Sequence, residues 1–343
     1  MMAVDLGART TKAVLVERRG EVLALTRYAM LDAPIYDKKF SPELLSDHLR
    51  SVAEALNGST RFVALAIGLE NTVVRQVELP QIPKEDMRLV LKNNTKGYLQ
   101  QDLPNHVFDC HIFPPKVTPG AKVAETARAG TIPKLKVLVA GAKKGLIDDY
   151  QTAARNAGLS PQCIFPGMIG SVNSFEMAMN QIFENESVAL VDVGFKHSTV
   201  CVLDRGELAL TRVVNIGGDQ LTSGLAEAMG VTYAEAEGIK LGMSPEALST
   251  VELQVLPLGR ELRASLDFFE HQSDRPVSQV FVTGAAANSE NFLQMLHAEM
   301  IVECKTWSPT TFLQLALPGP QAVEIEHVGS QLSVAIGAAL AAL

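Results

Sequence analysis

The stretch Leu190-Val191-Asp192-Val193-Gly194-Phe195-Lys196-His197-Ser198-Thr199-Val200-Cys201-Val202-Leu203-Asp204-Arg205-Gly206-Glu207-Leu208 has a counterpart near the start of the chain. That counterpart is Ala3-Val4-Asp5-Leu6-Gly7-Ala8-Arg9-Thr10-Thr11-Lys12-Ala13-Val14-Leu15-Val16-Glu17-Arg18-Arg19-Gly20-Glu21-Val22. Both run through an apolar strand, Asp, an apolar residue, Gly, a short polar turn, a second apolar strand, then Arg and Gly-Glu. Apolar runs of this length predict strands, and Gly with hydroxyl residues predicts the tight turn between them. Each stretch is therefore read as a β-hairpin whose turn carries an acid. One Asp-x-Gly alone reads as an ordinary surface turn. Two, in register through Gly-Glu, predict two similar halves that each offer backbone N–H groups and hydroxyls to one shared ligand. Turns rich in Gly, Ser and Thr form anion-binding concavities. Asp5 and Asp192 would then face an anion, which is favourable only with a cation or ordered water between them.

Working outward, 343 residues exceed one ordinary core and predict two domains. A hydrophobic content of 47% against 20% charged residues predicts a well-packed globular chain. The net charge of −8 argues against a nucleic-acid partner held by phosphate neutralisation. Cys110, Cys163, Cys201 and Cys304 are dispersed without metal or redox spacing, which predicts free thiols in a reducing compartment. Asp5 stands where a secretory leader would be apolar, and the apolar tail Val334–Leu343 is too short to span a bilayer and reads as a buried helix. The expectation is a soluble, cytoplasmic protein that works at a membrane only if something else holds it there.

Ser41-Pro42-Glu43 predicts a helix start, with Leu44, Leu45, Leu49, Val52, Ala53 and Leu56 as its stripe and Asn57-Gly58 as its end. Phe62–Leu69 and Thr72–Leu79 read as strands, the second bounded by Pro80 and Pro83. Lys84–Gln101 reads as one amphipathic helix, Phe108–Phe113 and Lys136–Ala140 as strands, and Lys144–Asn156 as a helix. Pro114–Pro133 is predicted to be an exposed, mobile loop. Residues 84–156 thus form a small α/β unit inserted in the first half. In the second half Gly217-Gly218-Asp219 opens a helix, with Asp219 as the expected N-cap and paired Gly allowing close approach of a ligand. A plain Gly-Gly turn before a capped helix is the simpler reading of that stretch alone. Glu237 and Lys240, three apart, share a helix face, which by itself reads as a solvated ion pair.

The two Asp-x-Gly turns resemble the phosphate-binding hairpins of the actin-like superfamily. The string Glu78-Leu79-Pro80-Gln81-Ile82-Pro83-Lys84-Glu85-Asp86 narrows the resemblance to the PilM family of type IV pilus assembly proteins, relatives of FtsA. So do Val139-Ala140-Gly141-Ala142-Lys143-Lys144-Gly145-Leu146, Ala157-Gly158-Leu159, Ile216-Gly217-Gly218-Asp219-Gln220-Leu221-Thr222 and Tyr233-Ala234-Glu235-Ala236-Glu237-Gly238-Ile239-Lys240. The resemblance covers nearly the whole chain apart from the 114–133 loop. It implies an α/β, actin-like two-domain fold of duplicated RNase H-like halves. Residues 1–83 plus 157–185 would be the first domain, 84–156 an inserted SHS2-type subdomain, and 186–343 the second domain, with a smaller lobe at about 220–280.

The resemblance also implies a site for ATP or ADP at Asp5, Gly7, Thr10, Thr11, Lys12, Asp192, Gly194, Ser198, Gly217, Gly218, Glu237, Lys240, Gly284 and Ala285. Mg²⁺ would sit near Asp5 and Asp192, and Glu237 and Lys240 would meet ribose and base. Three departures bear on catalysis. The adenine-side turn is Val282-Thr283-Gly284-Ala285-Ala286-Ala287-Asn288, with one Gly where the family has two or more. The linking segment Cys163-Ile164-Phe165-Pro166-Gly167-Met168-Ile169 carries no acid to activate water. The second hairpin holds Phe195-Lys196-His197 where the family prefers small residues, and His197 reads either as a phosphate contact or as an exposed turn residue. No catalytic residue is assigned, and at most a weak ATPase is expected.

The implied partner is the cytoplasmic tail of a PilN-like inner-membrane protein, bound as an extended peptide beside Thr72–Leu79. Val73, Arg75, Val77 and Leu79 lie on one side of that strand, and Val74, Gln76 and Glu78 on the other. Without the resemblance such a strand reads as an interior member of a sheet. Other pilus assembly proteins and self-association stand as further contacts, with membrane contact only through partners. Two other classes stay open: a degenerate actin-like scaffold of a type II secretion-like system that binds no nucleotide, and a sugar-kinase-type phosphotransferase, which would need a carboxylate base the linking segment does not offer.

Overall fold

The computed structural model describes residues 1–36, 40–114, 133–242 and 247–343. The first apolar runs form β1 (Met2–Leu6), β2 (Thr10–Arg19) and β3 (Val22–Asp32), followed by α1 (Pro42–Leu56) and β4 (Phe62–Ile67). The Ser41 side chain accepts from Leu44 N and Asn57 takes the left-handed C-cap, so α1 starts and stops where its capping residues stand. Next come β5 (Thr72–Pro80), α2 (Lys84–Asn93), α3 (Thr95–Leu99), β6 (His106–Ile112), β7 (Lys134–Lys143) and α4 (Lys144–Asn156). β8 (Ser160–Pro166), α5 (Gly167–Ala178) and α6 (Asn180–Asn185) lead to β9 (Ser187–Val193), β10 (Ser198–Asp204) and β11 (Leu208–Val214). The remainder is α7 (Gly218–Met229), α8 (Tyr233–Gly242), α9 (Leu248–Ser273), β12 (Gln279–Thr283), α10 (Glu290–Met300), β13 (Cys304–Thr306), β14 (Gln314–Leu315), α11 (Gly319–Val328) and α12 (Ser333–Ala341).

The larger of two compact units comprises Met1–Leu69 and Tyr150–Leu343. It holds two sheets, of order β14-β3-β2-β1-β4-β8 and β11-β10-β9-β12-β13. In each, three antiparallel strands are followed by two parallel ones: β4 and β8 beside β1, β12 and β13 beside β9. The duplication expected from the paired hairpins is thus a duplication of whole sheets.

The C-terminal segment departs from the expected boundary. β14 pairs in parallel with β3 of the first sheet, and Leu313, Ile325, Leu332 and most of α12 share a core with Ala3, Val14, Leu25 and Ala64. The end of the span 186–343 therefore belongs with the first half. An all-apolar helix must be covered on every side, but its composition does not say which sheet covers it. The chosen cover is α5. Asn173 Nδ2 donates to Gly337 O at 3.3 Å and Ser174 Oγ to Ser333 O at 2.9 Å. The two backbones meet at glycines: a Cβ on Gly337 would lie 1.7 Å from Gly170 O.

The smaller unit spans Glu70–Asp149, so Thr72–Pro80 belongs to it rather than to the first domain. The reason is pairing: β5 runs antiparallel to β7 along its whole length in a sheet of order β5-β7-β6. Leu79 is wholly buried in this unit's core with Met87, Leu91, Leu99, Cys110, Val137 and Val139, and Val77 packs against it. Leu79 is therefore no surface anchor, while Val73 and Val77 are half-buried and Arg75 exposed. The expected single helix over Lys84–Gln101 is two, because Asn94 leaves helical geometry and its side chain caps the second by accepting from Gly97 N at 3.0 Å. Residues 115–132 of the expected loop lie outside the described residues.

The α5–α12 contact leaves no room for a methyl group. Gly337→Ala should lower stability by at least about 1–3 kcal/mol, read from the denaturant midpoint. Gly145→Ala in α4, where nothing lies within 4 Å of the added carbon, should stay within about 1 kcal/mol of the parent. Equal midpoints for the two variants would contradict the close approach.

Candidate functional site

Antiparallel register in the first hairpin sets Asp5 opposite Lys12, and in the second sets Asp192 opposite Thr199. Lys12 Nζ donates to Asp5 Oδ2 at 3.1 Å, with the two side chains 21% and 14% exposed. Asp192 lies close enough to act on both charges. One ammonium therefore serves two carboxylates, since Thr199 brings no charge to its own hairpin. Burial works against the Lys12 ammonium, but Asp5 and Asp192 beside it outweigh burial and hold its pKa above the usual lysine value. Burial drives the Asp192 carboxyl the other way, up from the usual aspartate value. Lys12 pulls it down and Asp5 pushes it further up, and the net shift is upward. Thr283, at the end of β12, donates to Asp192 Oδ1 at 3.4 Å. The next residue, Gly284, has φ +92, and a Cβ there would meet Val193 O at 2.7 Å. Ala285 opens a 3₁₀ turn, Ala285–Asn288.

The two hairpin turns are equally tight. A Cβ on Gly7 would meet Thr10 O at 2.5 Å, and one on Gly194 would meet His197 O at 2.6 Å. Thr10 is half-buried at the start of β2. Thr11 is buried, and its hydroxyl lies 2.8 Å from His48 Nε2 of α1. Burial lowers the pKa of His48. Ser198 is also buried and donates to Ile216 O at 2.7 Å, so its proton is committed to the lead-in of α7. Nδ1 of His197 is buried with no hydrogen-bond partner among the described residues.

At the start of α7, Gly218 N donates to Gly194 O and Asp219 N to Phe195 O, each at 2.9 Å. Asp219 is not the N-cap. That position is Gly217, with no side-chain bond, because the hairpin's own carbonyls satisfy the first amides. The Asp219 carboxylate instead accepts from Tyr233 Oη at 2.9 Å. The expected open anion site at this helix end is in this way largely used up by the second hairpin.

Glu237 and Lys240 are on one face of α8, as their spacing requires, with Lys240 Nζ 2.8 Å from Glu237 Oε2. Lys240 also donates to Thr222 Oγ1 at 2.6 Å and to Gly218 O at 3.4 Å, and Thr222 Oγ1 is 2.6 Å from Glu237 Oε2. The other oxygen, Glu237 Oε1, is 3.1 Å from Arg9 Nη1, and the Arg9 guanidinium lies 5.1 Å from the centre of the Phe195 ring. Partial burial pushes the Glu237 carboxyl up, but hydrogen bonds from Lys240 and Thr222, with the charges of Lys240 and Arg9, hold it below the usual glutamate value.

The structure thus brings Asp5, Lys12, Asp192 and Gly284 into one group and Gly218, Glu237 and Lys240 into another, with Gly194 bonded to the second through Gly218. The sequence reading missed Arg9, Thr222, Thr283 and His48. Thr222 had a signal, four residues after Gly218 on the same helix face. Thr283 had one in its place beside Gly284. Arg9 and His48 reach the site through tertiary contacts alone. No set of three or more His, Cys, Asp and Glu that could hold a metal occurs among the described residues. The Lys12 ammonium supplies the positive charge that two neighbouring acids require.

A family model described as Type IV pilus assembly protein PilM matches residues 3–343. The chain belongs to this family. A solved PilM-PilN type IV pilus biogenesis complex is similar over 99% of this chain and 98% of that chain, with a TM-score of 0.81 and 19% identity. The ethanolamine utilization protein EutJ from Carboxydothermus hydrogenoformans is similar over 98% of this chain and 88% of its own, with a TM-score of 0.53 and 13% identity. The cell division protein FtsA of Bacillus subtilis (strain 168) is 29% identical over 105 residues. That match covers 30% of this chain and spans 22% of the relative's length. The fold is the actin-like one expected from the duplicated hairpins. Among the described residues no helix is long and apolar enough to cross a membrane.

The charge group yields a contrast in stability. Lys12→Met would leave two mostly enclosed carboxylates without their cation and should cost about 3 kcal/mol or more. Asp192→Asn removes a carboxylate that burial disfavours and should leave the thermal midpoint unchanged or raise it by about 1–3 °C at neutral pH. Because the Asp192 pKa is raised by folding, its charged form costs stability at neutral pH, and this cost fades as pH falls through the folded pKa. The advantage of Asp192→Asn should shrink with it. A larger loss for Asp192→Asn than for Lys12→Met, measured by calorimetry, would refute the arrangement.

Proposed function

We propose that this chain is a nucleotide-responsive adaptor of a type IV pilus assembly complex. It would work at the cytoplasmic face of the inner membrane and bind the cytoplasmic tail of a PilN-like membrane protein. The observation that supports this most is the likeness to the PilM-PilN complex over 99% of the chain, together with the family match across residues 3–343. At this identity the likeness carries the fold, and the partner is carried over as part of the proposal.

The ligand we assign is ATP or ADP. Tight turns at Gly7 and Gly194 offer backbone amides and the Thr10 hydroxyl to phosphates, Thr11 being turned away to His48, and Lys12 brings a charge already hydrogen-bonded to Asp5 and felt by Asp192. Glu237, Lys240 and Thr222 form a polar group suited to sugar hydroxyls. A bound Mg²⁺ would neutralise phosphate charge, with Asp5 and Asp192 as the residues able to hold it through water. No acid in Cys163–Ile169 positions water, so turnover should be well below the roughly ten per second of a typical enzyme. A second reading is a scaffold without nucleotide, favoured by the use of the Gly218 and Asp219 amides within the protein.

The partner site we assign is the side of β5 away from β7. Among the described residues this strand pairs with one neighbour, β7, and an added strand would extend the sheet through main-chain hydrogen bonds.

Two measurements test these assignments. Mg·ATP or Mg·ADP at a hundredfold its Kd should stabilise the folded chain by about 2.7 kcal/mol in a thermal-shift titration. No shift at millimolar nucleotide would leave the scaffold reading. A labelled peptide from the tail of a PilN-type protein should bind saturably by fluorescence anisotropy, more weakly to Arg75→Glu and equally to Asp192→Ala. Failure to bind, or equal affinity for Arg75→Glu, would remove the assignment to β5.

A further inference from the structure

We propose that Arg9 is a latch that competes with the nucleotide for Glu237 and so sets the apparent affinity of the pocket; the inference rests on the nucleotide reading above. Arg9 stands on the turn of the first hairpin, yet both of its partners belong to the second half: Phe195 on the turn of the second hairpin and Glu237 on α8. One side chain therefore joins both hairpin tips to the helix that carries the sugar-binding group.

The two oxygens of Glu237 are engaged differently. Oε2 is held by Lys240 and Thr222 at 2.8 and 2.6 Å, and the Lys240 and Glu237 side chains are only 18% and 20% exposed. Oε1 is held by Arg9, whose side chain is 48% exposed. A ligand hydroxyl donating to Glu237 meets least resistance at Oε1, where it must displace the guanidinium. An exposed ion pair and an exposed cation–π contact are each weak, so the latch is strong enough to bias the pocket and weak enough for a ligand to open. Lys240 cannot replace Arg9, since its ammonium is committed to Oε2, Thr222 and the Gly218 carbonyl.

Ligand binding to a protein held mostly in a closed arrangement is weakened by the fraction that is open. Arg9→Ala should therefore lower the Kd for nucleotide by about three- to tenfold, the combined weight of one exposed ion pair and one cation–π contact. Because the contested group is at the sugar end, the gain should be equal for ADP and ATP. Phe195→Leu, which keeps the ion pair but removes the ring, should give a smaller gain in the same direction, about twofold. Without nucleotide, hydrogen exchange across Tyr233–Gly242 should be faster in Arg9→Ala than in the parent. Isothermal titration of the full chain with ADP and ATP, alongside exchange measured by mass spectrometry, reads all of these. Parent binding with an unchanged or weaker Kd in Arg9→Ala overturns the latch alone. A gain confined to ATP overturns it too and makes Arg9 a phosphate-end residue. No binding by the parent overturns the nucleotide reading and the latch with it.

Discussion

The Lys12 ammonium is hydrogen-bonded to one carboxylate, Asp5, and attracts a second, Asp192, that duplication of the hairpin brings near it. Two acids in a mostly enclosed space repel. A single cation makes the pair tolerable, and it comes from the strand directly opposite Asp5 rather than from a third element. The approach of the two hairpins depends on this charge balance. That balance is uneven: Asp5 is hydrogen-bonded to the ammonium, while Asp192 accepts from Thr283 and, with burial as the largest cause, has its pKa raised.

The halves are alike in topology and unlike in chemistry. Where the first hairpin has Lys12, the second has Thr199. The second hairpin also turns inward on its own half: its carbonyls take the first amides of α7, and Ser198 is spent on Ile216. The first hairpin turns one hydroxyl to α1, that of Thr11 against His48. The polar group Thr222–Glu237–Lys240 then gives the second half a site the first lacks. A duplicated scaffold has in this way diverged into one half with the Asp5–Lys12 ion pair at its hairpin and another with a hydrogen-bonded Thr222–Glu237–Lys240 group.

The frame behind the site is the contact of α5 with α12. Helices that meet backbone to backbone at Gly170 and Gly337 have little freedom to slide, because interiors are close-packed and an added methyl has nowhere to go. Through β14 and α12 the end of the chain returns to the sheet where it began. The small unit has its own buried cluster around Leu79, Met87 and Val139.

The sequence by itself determined what depends on neighbours along the chain. The duplicated hairpins, the start and stop of α1, the pairing of Glu237 with Lys240 and the insertion in the first half were all legible, because strand period, capping residues and helix spacing are local properties. Tertiary structure alone decided what depends on which surfaces meet. It assigned β5 to the small unit, since a strand's pairing partner is not written in its alternation. It sent the C-terminal helix to the first half, since an all-apolar helix is content with any apolar cover. It took the cap of α7 from Asp219 and gave it to the hairpin carbonyls, since a cap is supplied by whichever acceptor arrives first in space. And it carried Arg9 to Glu237, 228 residues away, a pairing set by the closeness of the two halves and by no feature of the turn in which Arg9 stands.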